Sequence, residues 1–513
     1  VRVLKVCFIA AIFSPYAALA TSLAPVPVKA IDWQSCDKGQ FSQWFGQEEV
    51  PDRLQCGYLE APLSYDDDNT HETVRLAVTR LPATGEKQGS LVTVAGGPGL
   101  PGIRVPLVAE TVNENFDIIG YDPRGVGQSR PGILCPSPQS DEGVDTLTAE
   151  KQNADWVQDC TINTGLKVLK HIGTDEAVND LEVLRNALGN DKLNVIGYSY
   201  GTHVAQIYAE RFPNKVRAMV LDGVVDITED GITSDYKQAL SFQQSFERFA
   251  GYCEKEQACQ LNKTHATAVY HQLLKKVDAL GLTDNNDEEI DSGDIILATT
   301  NTLYSSEDWP ALAKLLRSID SDSFDYPTLA KLEKTEEGEA APEQNYRPRA
   351  QNRVQPGPLA HHKDGSDTKS QAELEADNLL VIACADSANP DADIHQSRLL
   401  AQRQVEASGF SNYPTKTESP RNTCDFWPFK GKLHPHVPIV SPELPPLLFV
   451  EQLYDPATPY AGAEKMAKYF HSPLITVKGD GHTIALYDVN QCVDDEVVDY
   501  LLNPEVARDN KGC

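Results

Sequence analysis

Residues 193–202 read Leu193-Asn194-Val195-Ile196-Gly197-Tyr198-Ser199-Tyr200-Gly201-Thr202, and this stretch decides how the 513-residue chain is read. The apolar run Leu193 to Ile196 has the character of a buried strand, and Thr202 to Arg211 carries a helical pattern. Between them stands G-x-S-x-G. A serine at such a strand–turn–helix junction sits on a sharp turn, because the flanking glycines let neighbouring backbone approach with no Cβ in the way. The turn presents the hydroxyl at the carboxyl edge of a sheet and brings the next backbone N–H beside it. The five-residue pattern recurs by chance, so its place between strand and helix is what makes Ser199 a candidate nucleophile.

Outward from this junction, short apolar runs bounded by glycine recur at Ser90 to Val94, Phe116 to Gly120 and Val216 to Leu221. Helical patterns such as Ala177 to Leu188 separate some of them. Buried strands alternating with helices predict an α/β architecture, a mostly parallel central sheet covered on both faces. Cys56 to Leu81 alternates instead, as in Val74-Arg75-Leu76-Ala77-Val78, and turns at Asp66-Asp67-Asp68-Asn69; it predicts an antiparallel opening to the sheet. After Asp222 the alternation stops, and the next clear strands are Leu447 to Leu453 and Leu474 to Lys478. That gap is far too long for a loop in a compact domain. Helix-like stretches inside it, Asp235 to Phe249 and Ala266 to Ala279, predict a large, mainly helical cap inserted before the last strands. The expected division is an export signal at 1–20, sheet core at 21–222, cap at 223–446 and the rest of the core at 447–513. Within the cap, Glu333 to Asp377 is rich in charge, Pro and Gly and reads as a mobile surface segment. No internal repeat is visible, against a solenoid or propeller.

A serine hydroxyl is a poor nucleophile without a base. His482, in Gly479-Asp480-Gly481-His482, directly follows a predicted strand near the chain end and is the candidate base. Two carboxylates could orient it. Asp455 opens Asp455-Pro456-Ala457-Thr458-Pro459 after one strand, and Asp222 ends another. Asp455 is preferred because the prolines fix its turn, and Asp222 is read as structural. Thr458 either orients the Asp455 loop by a hydrogen bond or is a plain structural threonine. His203, on the helix after Ser199, would face away and is read as structural. An oxyanion hole needs two donors. The Tyr200 N–H is one, and Ala95-Gly96-Gly97-Pro98-Gly99 supplies the other, with Gly97 the first choice. Asp122-Pro123-Arg124-Gly125-Val126-Gly127 reads as an ordered turn beside the site.

The formal net charge of −30 lacks the basic footprint a nucleic acid would need, and a solvated acidic surface is its plain reading. Arg2 and Lys5, the apolar run Val6 to Tyr16 and Ala18-Leu19-Ala20 resemble an export signal, and no later run reaches membrane-spanning length. Cys7 falls inside that signal, which leaves an even ten cysteines. In an oxidising compartment these suggest five disulfides, and proximity along the chain suggests Cys36–Cys56, Cys135–Cys160, Cys253–Cys259, Cys384–Cys424 and Cys492–Cys513. With no CxxC pair and no His-rich tract, a zinc site is not expected, nor any cofactor.

Together these segments resemble the tripeptidyl aminopeptidase-like proteins, in the proline iminopeptidase branch of the α/β-hydrolases. The likeness runs from about Cys56 to Cys513. It rests on Gly96-Gly97-Pro98-Gly99, Asp122 to Ser129, Gly197 to Gly201, Leu221-Asp222-Gly223, Asp455 to Pro459, and Gly481-His482 followed by Cys492 and a terminal Cys513. The order Ser…Asp…His fits that fold. The resemblance implies a serine exopeptidase that removes residues or short peptides from a free N-terminus, with a cap closing the far side of its cleft, and the export signal adds a secreted or periplasmic location. Two departures stand out: Ala95 where relatives often have histidine, and Glu451-Gln452-Leu453-Tyr454 where relatives commonly show Gly-Glu before the acid. Neither is expected to touch the three candidate residues, while the second is expected to alter the substrate pocket. An aminopeptidase must also hold an ammonium group, which cap carboxylates would suit. Asp284, Asp287, Glu288 and Glu289 are available there, and Asp386 beside Cys384 is singled out as a candidate. The rival readings are a secreted esterase or lipase with the same triad, and a silent binding protein on the same scaffold. Haloperoxidase chemistry without a cofactor would use the triad too, whereas dehalogenases and epoxide hydrolases want a carboxylate at position 199.

Overall fold

A computed structural model describes residues 29–37, 50–66, 72–104, 112–137, 145–283, 289–321, 323–332, 369, 371–414 and 418–513. The export signal read from residues 1–20 lies outside these, as do Asp284, Asp287, Glu288 and nearly all of the charge-rich segment beginning at Glu333. The end of that segment was expected to be mobile surface, yet residues 371–377 open a helix, Gln371–Ser387.

Twelve strands are described: β1 (Gln34–Ser35), β2 (Gln55–Pro62), β3 (Thr73–Leu81), β4 (Gly89–Val94), β5 (Phe116–Tyr121), β6 (Leu193–Tyr198), β7 (Val216–Asp222), β8 (Leu282–Thr283), β9 (Glu289–Ile290), β10 (Leu448–Gln452), β11 (Leu474–Val477) and β12 (Lys511–Gly512). All but the β8–β9 pair form one sheet in the order β1-β2-β3-β5-β4-β6-β7-β10-β11-β12. β1, β2 and β3 pair antiparallel, as do β3 and β5; the rest is parallel. β5 and β6 are buried at every residue, which is why they read as apolar runs rather than alternating ones. The edge strand β12 carries no apolar pattern. It is tied to the core by the Cys492–Cys513 disulfide and was not legible in the sequence. All five expected disulfides are present.

The register places the site. Tyr198 pairs with Asp222 and Asp222 with Val450, so Ser199, Gly223 and Glu451 emerge side by side at the carboxyl edge of the sheet. Asp455 follows β10 and His482 follows β11 at that same edge.

The chain between β7 and β10 is mainly helical. Its longest helix, Gly231–Glu256, begins where the Asp230 side chain accepts the Thr233 N–H and ends at Gln257 in a left-handed conformation. Ala239, Phe242, Phe246, Phe249, Ala250 and Cys253 recur at helical spacing along its buried face. Phe246 stacks on Phe410 and meets Tyr270 edge-on, while Phe249 meets Trp309, so the cap has an aromatic core of its own. Truncating one such fully buried ring to alanine costs about 3–5 kcal/mol.

Candidate active site

Ser199 holds φ +52° and ψ −123°, a conformation that a residue with a Cβ adopts only at a cost of about 1–2 kcal/mol. Its N–H donates to the Asp222 carbonyl at 2.8 Å, and its own carbonyl accepts the Thr202 N–H at 2.8 Å. A Cβ on Gly197 would lie 2.6 Å from the Gly201 carbonyl oxygen, so the flanking glycines are a steric requirement of the turn. The helix begins at Tyr200, two residues earlier than its sequence pattern indicates, because the turn runs directly into it. That sets the Tyr200 N–H in the first turn, at the positive end of the helix dipole.

His482 is buried and its Nδ1–H donates to Asp455 Oδ2 at 2.7 Å, which leaves the Nε2 lone pair to accept a proton. Asp455 Oδ1 accepts the Ala457 and Thr458 N–H groups at 2.8 and 2.7 Å. Thr458 Oγ1 also lies 3.1 Å from His482 Nδ1, so Thr458 touches both members of the pair rather than being a plain structural residue. The imidazole rests against Gly223, the register neighbour of Ser199: a Cβ there would lie 2.7 Å from its Cε1. Asp222 has a different task. Its Oδ2 accepts the Ile484 and Ala485 N–H groups at 2.6 and 2.7 Å and so pins the loop beyond His482, with burial raising its pKa to about 6.

On the other side of Ser199, a Cβ on Gly96 would lie 3.7 Å from the serine Oγ, so the glycine turn abuts the nucleophile. Gly97 takes φ +102°, open to glycine and costly for other residues. Gly99 packs on the cap helix Gln371–Ser387, and its carbonyl accepts a hydrogen bond from Asn378 at 3.4 Å. His203 is held neutral, burial pushing its pKa down to about 4.

Three features were not expected. Glu451 is fully buried and reaches Asp455: one oxygen accepts the Val224 N–H at 2.7 Å and the carboxyl meets that of Asp455. Gln452 lies beneath the His482 loop, its amide 3.4 Å from the Thr483 carbonyl. The departure at 451–454 therefore touches the His482–Asp455 pair, correcting the expectation that it would not, while Leu453 and Tyr454 do line a cavity beside Asp455. The signal was a charged residue prolonging the apolar strand Leu447 to Val450.

Second, the cap grips the histidine loop. The Tyr304 carbonyl accepts the His482 N–H at 2.9 Å, the Ser306 N–H donates to the Asp480 carbonyl at 3.0 Å, and the Tyr304 ring packs edge-on against the imidazole. Arg248 pairs with the Asp480 carboxylate and lies over the Tyr454 ring at 3.3 Å, joining the loops that carry His482 and Asp455. These contacts span more than 170 positions of sequence, and nothing local signals them. Arg248 and Tyr454 also help line a cavity of about 480 Å³ that borders Asp455 but neither Ser199 nor His482.

Third, Asp386 is already engaged by the protein. Its two oxygens accept the Thr174 N–H at 2.8 Å and the Thr174 hydroxyl at 2.6 Å, and that hydroxyl in turn accepts the Tyr200 phenol at 2.6 Å. It fastens the cap helix to the core and to Tyr200, with burial raising its pKa to about 7. This replaces the expectation of a carboxylate open to a substrate ammonium.

An elbow serine with a buried His–Asp pair on the next strand ends is the equipment for nucleophilic acyl transfer. The profile of the α/β hydrolase fold family matches residues 90–489. The chain is an α/β hydrolase. Full-length relatives of this α/β hydrolase include the serine protease Hip1 of Mycobacterium tuberculosis, 33% identical with 94% of this chain and 91% of the relative covered. Carboxylesterase B of Mycobacterium tuberculosis is 31% identical, covering 96% and 91%. The tripeptidyl aminopeptidase of Streptomyces lividans is 29% identical, covering 93% and 86%. The resemblance noted in the sequence thus extends over nearly the whole α/β hydrolase, and its relatives include both peptidases and an esterase.

Proposed function

We propose that this serine hydrolase is a secreted or periplasmic exopeptidase that releases residues, dipeptides or tripeptides from the free N-terminus of peptides through an acyl-enzyme on Ser199. The His482–Asp455 pair beside the elbow carries the chemistry. His482 Nε2 takes the Ser199 proton as Oγ attacks the acyl carbon, and Asp455 and Thr458 hold the ring while its charge develops. The Tyr200 and Gly97 N–H groups receive the oxyanion. His482 then protonates the leaving amine, and water, activated by the same nitrogen, hydrolyses the ester.

The cap supports an exopeptidase rather than an open-cleft esterase. Helix Gln371–Ser387 covers the glycine turn and carries buried Glu375 and Asp377 above it. Asp377 is paired with Lys369 and Glu375 with Arg104, so both carboxylates are engaged by the protein. The protease and aminopeptidase relatives favour the same reading. Export is supported by the five disulfides, and among the described residues no helix is long and apolar enough to cross a membrane.

The test is steady-state hydrolysis of matched chromogenic peptides with free or acetylated N-termini, beside a short-chain ester and a Ser199→Ala control. Turnover confined to free N-termini and abolished in the control is expected. Equal turnover of acetylated peptides, or of the ester alone, would favour the esterase reading suggested by the carboxylesterase relative.

A further inference from the structure

Three carboxyl groups crowd one imidazole at the carboxyl edge of the sheet. Asp222 ends β7, Glu451 lies in β10 and Asp455 in the loop after it, and His482 reaches them from the loop after β11; none of the four is more than 3% exposed. Asp222 is satisfied by two backbone N–H donors. Asp455 receives two more and the imidazole N–H besides. Glu451 has the Val224 N–H at 2.7 Å and only a long bond from Gln452 at 3.2 Å, yet its carboxyl is in hydrogen-bond contact with that of Asp455. Two ionised carboxylates are both acceptors and cannot bond to each other, so the contact needs a proton. Asp455, with three donors aimed at it, is the better anion.

Resting on the triad proposed above, we infer that Glu451 is a positioning residue of that triad, a neutral carboxylic acid whose O–H donates to the Asp455 carboxylate. Its surroundings agree. Burial first, and then the negative charge of Asp455, drive its pKa far above the ordinary glutamate range. The bond adds a fixed donor to Asp455, which must keep Oδ2 on His482 Nδ1 while the imidazolium forms. It also spares the site a further buried negative charge, which would over-stabilise the imidazolium and hold back the proton owed to the leaving group. A glutamate that ionised here would both lose the bond and repel its partner. The proton therefore makes the triad sensitive to alkali through a residue that never touches substrate.

Glu451→Gln tests this, because an amide keeps one acceptor for Val224 and one donor for Asp455, giving up only the long bond from Gln452, but cannot ionise. Expected is a kcat at neutral pH within about threefold of the parent, less than the ~10-fold that loss of a hydrogen bond can cost, with the alkaline fall of the parent's pH–rate profile moved upward or abolished. Any substrate that Ser199 turns over, ester or peptide, serves for this comparison. Thermal unfolding gives a second readout that needs no substrate, so the inference can fail independently of the peptidase assignment. A carboxyl whose folded pKa is raised stabilises the fold at low pH and loses that contribution as pH rises above its unfolded value, so the parent's Tm should fall more steeply with pH than the variant's. A third readout uses the parent alone and stands even if the variant does not fold. With glutamate labelled at its carboxyl carbon, one resonance should keep the shift of a protonated acid at about pH 8, where ordinary glutamates are ionised. A variant that folds but is inactive at every pH, pH profiles and Tm slopes unchanged by the substitution, or labelled glutamates that are all ionised, would each overturn the inference.

Discussion

Gly223→Ala is the sharpest single perturbation of the site. Gly223 holds φ +68°, and a Cβ on it would stand 2.7 Å from His482 Cε1, 3.2 Å from Nδ1 and 2.9 Å from Thr483 Cγ2. Carbon atoms in contact prefer about 3.5–4.0 Å, so the imidazole must retreat by close to 1 Å. Its Nδ1 is held by Asp455 and Thr458, and the backbone that carries it by the Tyr304 carbonyl, so the ring has little freedom to yield. A displacement of ~1 Å at a catalytic group costs about 10²-fold, or ~2.7 kcal/mol of transition-state stabilisation. The expected result is a kcat reduced about a hundredfold with KM little changed, because the ring acts on the reacting atoms rather than on substrate affinity. The backbone conformation adds about 1 kcal/mol of destabilisation. Gly165→Ala separates the two effects, since Gly165 has φ +90° and nothing within 4 Å of its would-be Cβ. It should lower Tm and leave kcat alone. The assay is kcat per folded enzyme, with folding checked by circular dichroism. Retention of kcat within about threefold in Gly223→Ala would refute the placement of His482.

Arg248→Ala removes the link between the His482 and Asp455 loops; kcat should fall about tenfold, with the proton inventory of the reaction unchanged, and full activity would show that the cap grip is dispensable. Thr458→Val deletes the hydroxyl beside His482 Nδ1 while keeping its shape, and kcat should drop roughly tenfold with KM steady; an effect on KM alone would contradict it. Asp386→Asn bears on pH. The folded pKa of Asp386 is raised to about 7, so its proton stabilises the folded state below the unfolded value, and that contribution is lost as pH rises towards 7. The parent's Tm should therefore decline across that window more steeply than the variant's, and parallel curves would contradict the assignment. Because Asp386 is bound to Thr174, the substitution should also affect free-amine and ester substrates alike, whereas a selective rise in KM for free amines would restore it as an ammonium ligand.

The parts of the site that the sequence reveals are those whose physics is local. An apolar strand entering G-x-S-x-G and leaving as a helix needs only ten residues to be recognised, and the prolines around Asp455 mark its turn in the same way. His482 follows from the strand before it. Chain proximity sufficed for the disulfides because each closes over a short separation, the longest being 40 residues between Cys384 and Cys424. What escaped is set by tertiary contact. Asp386 looked like a free acid beside a disulfide, since nothing in its neighbourhood announces Thr174, 212 positions earlier. The Tyr304 and Arg248 contacts to the histidine loop are invisible for the same reason. Glu451 lies between these cases: its charge at the end of a buried strand was visible, but its meaning required the Asp455 carboxyl four residues on to be folded back against it.

The central claim, an acyl-enzyme formed on Ser199 from substrates with a free N-terminus, is tested most directly by covalent trapping. A dipeptidyl diphenyl phosphonate with a free amine, and its acetylated twin, would be reacted with the enzyme and the adduct mapped by mass spectrometry. The account requires a single adduct on Ser199, formed at least about tenfold faster from the free amine, the discrimination expected of one charge-assisted ammonium contact. An adduct on another residue, or equal rates for the two probes, would contradict it.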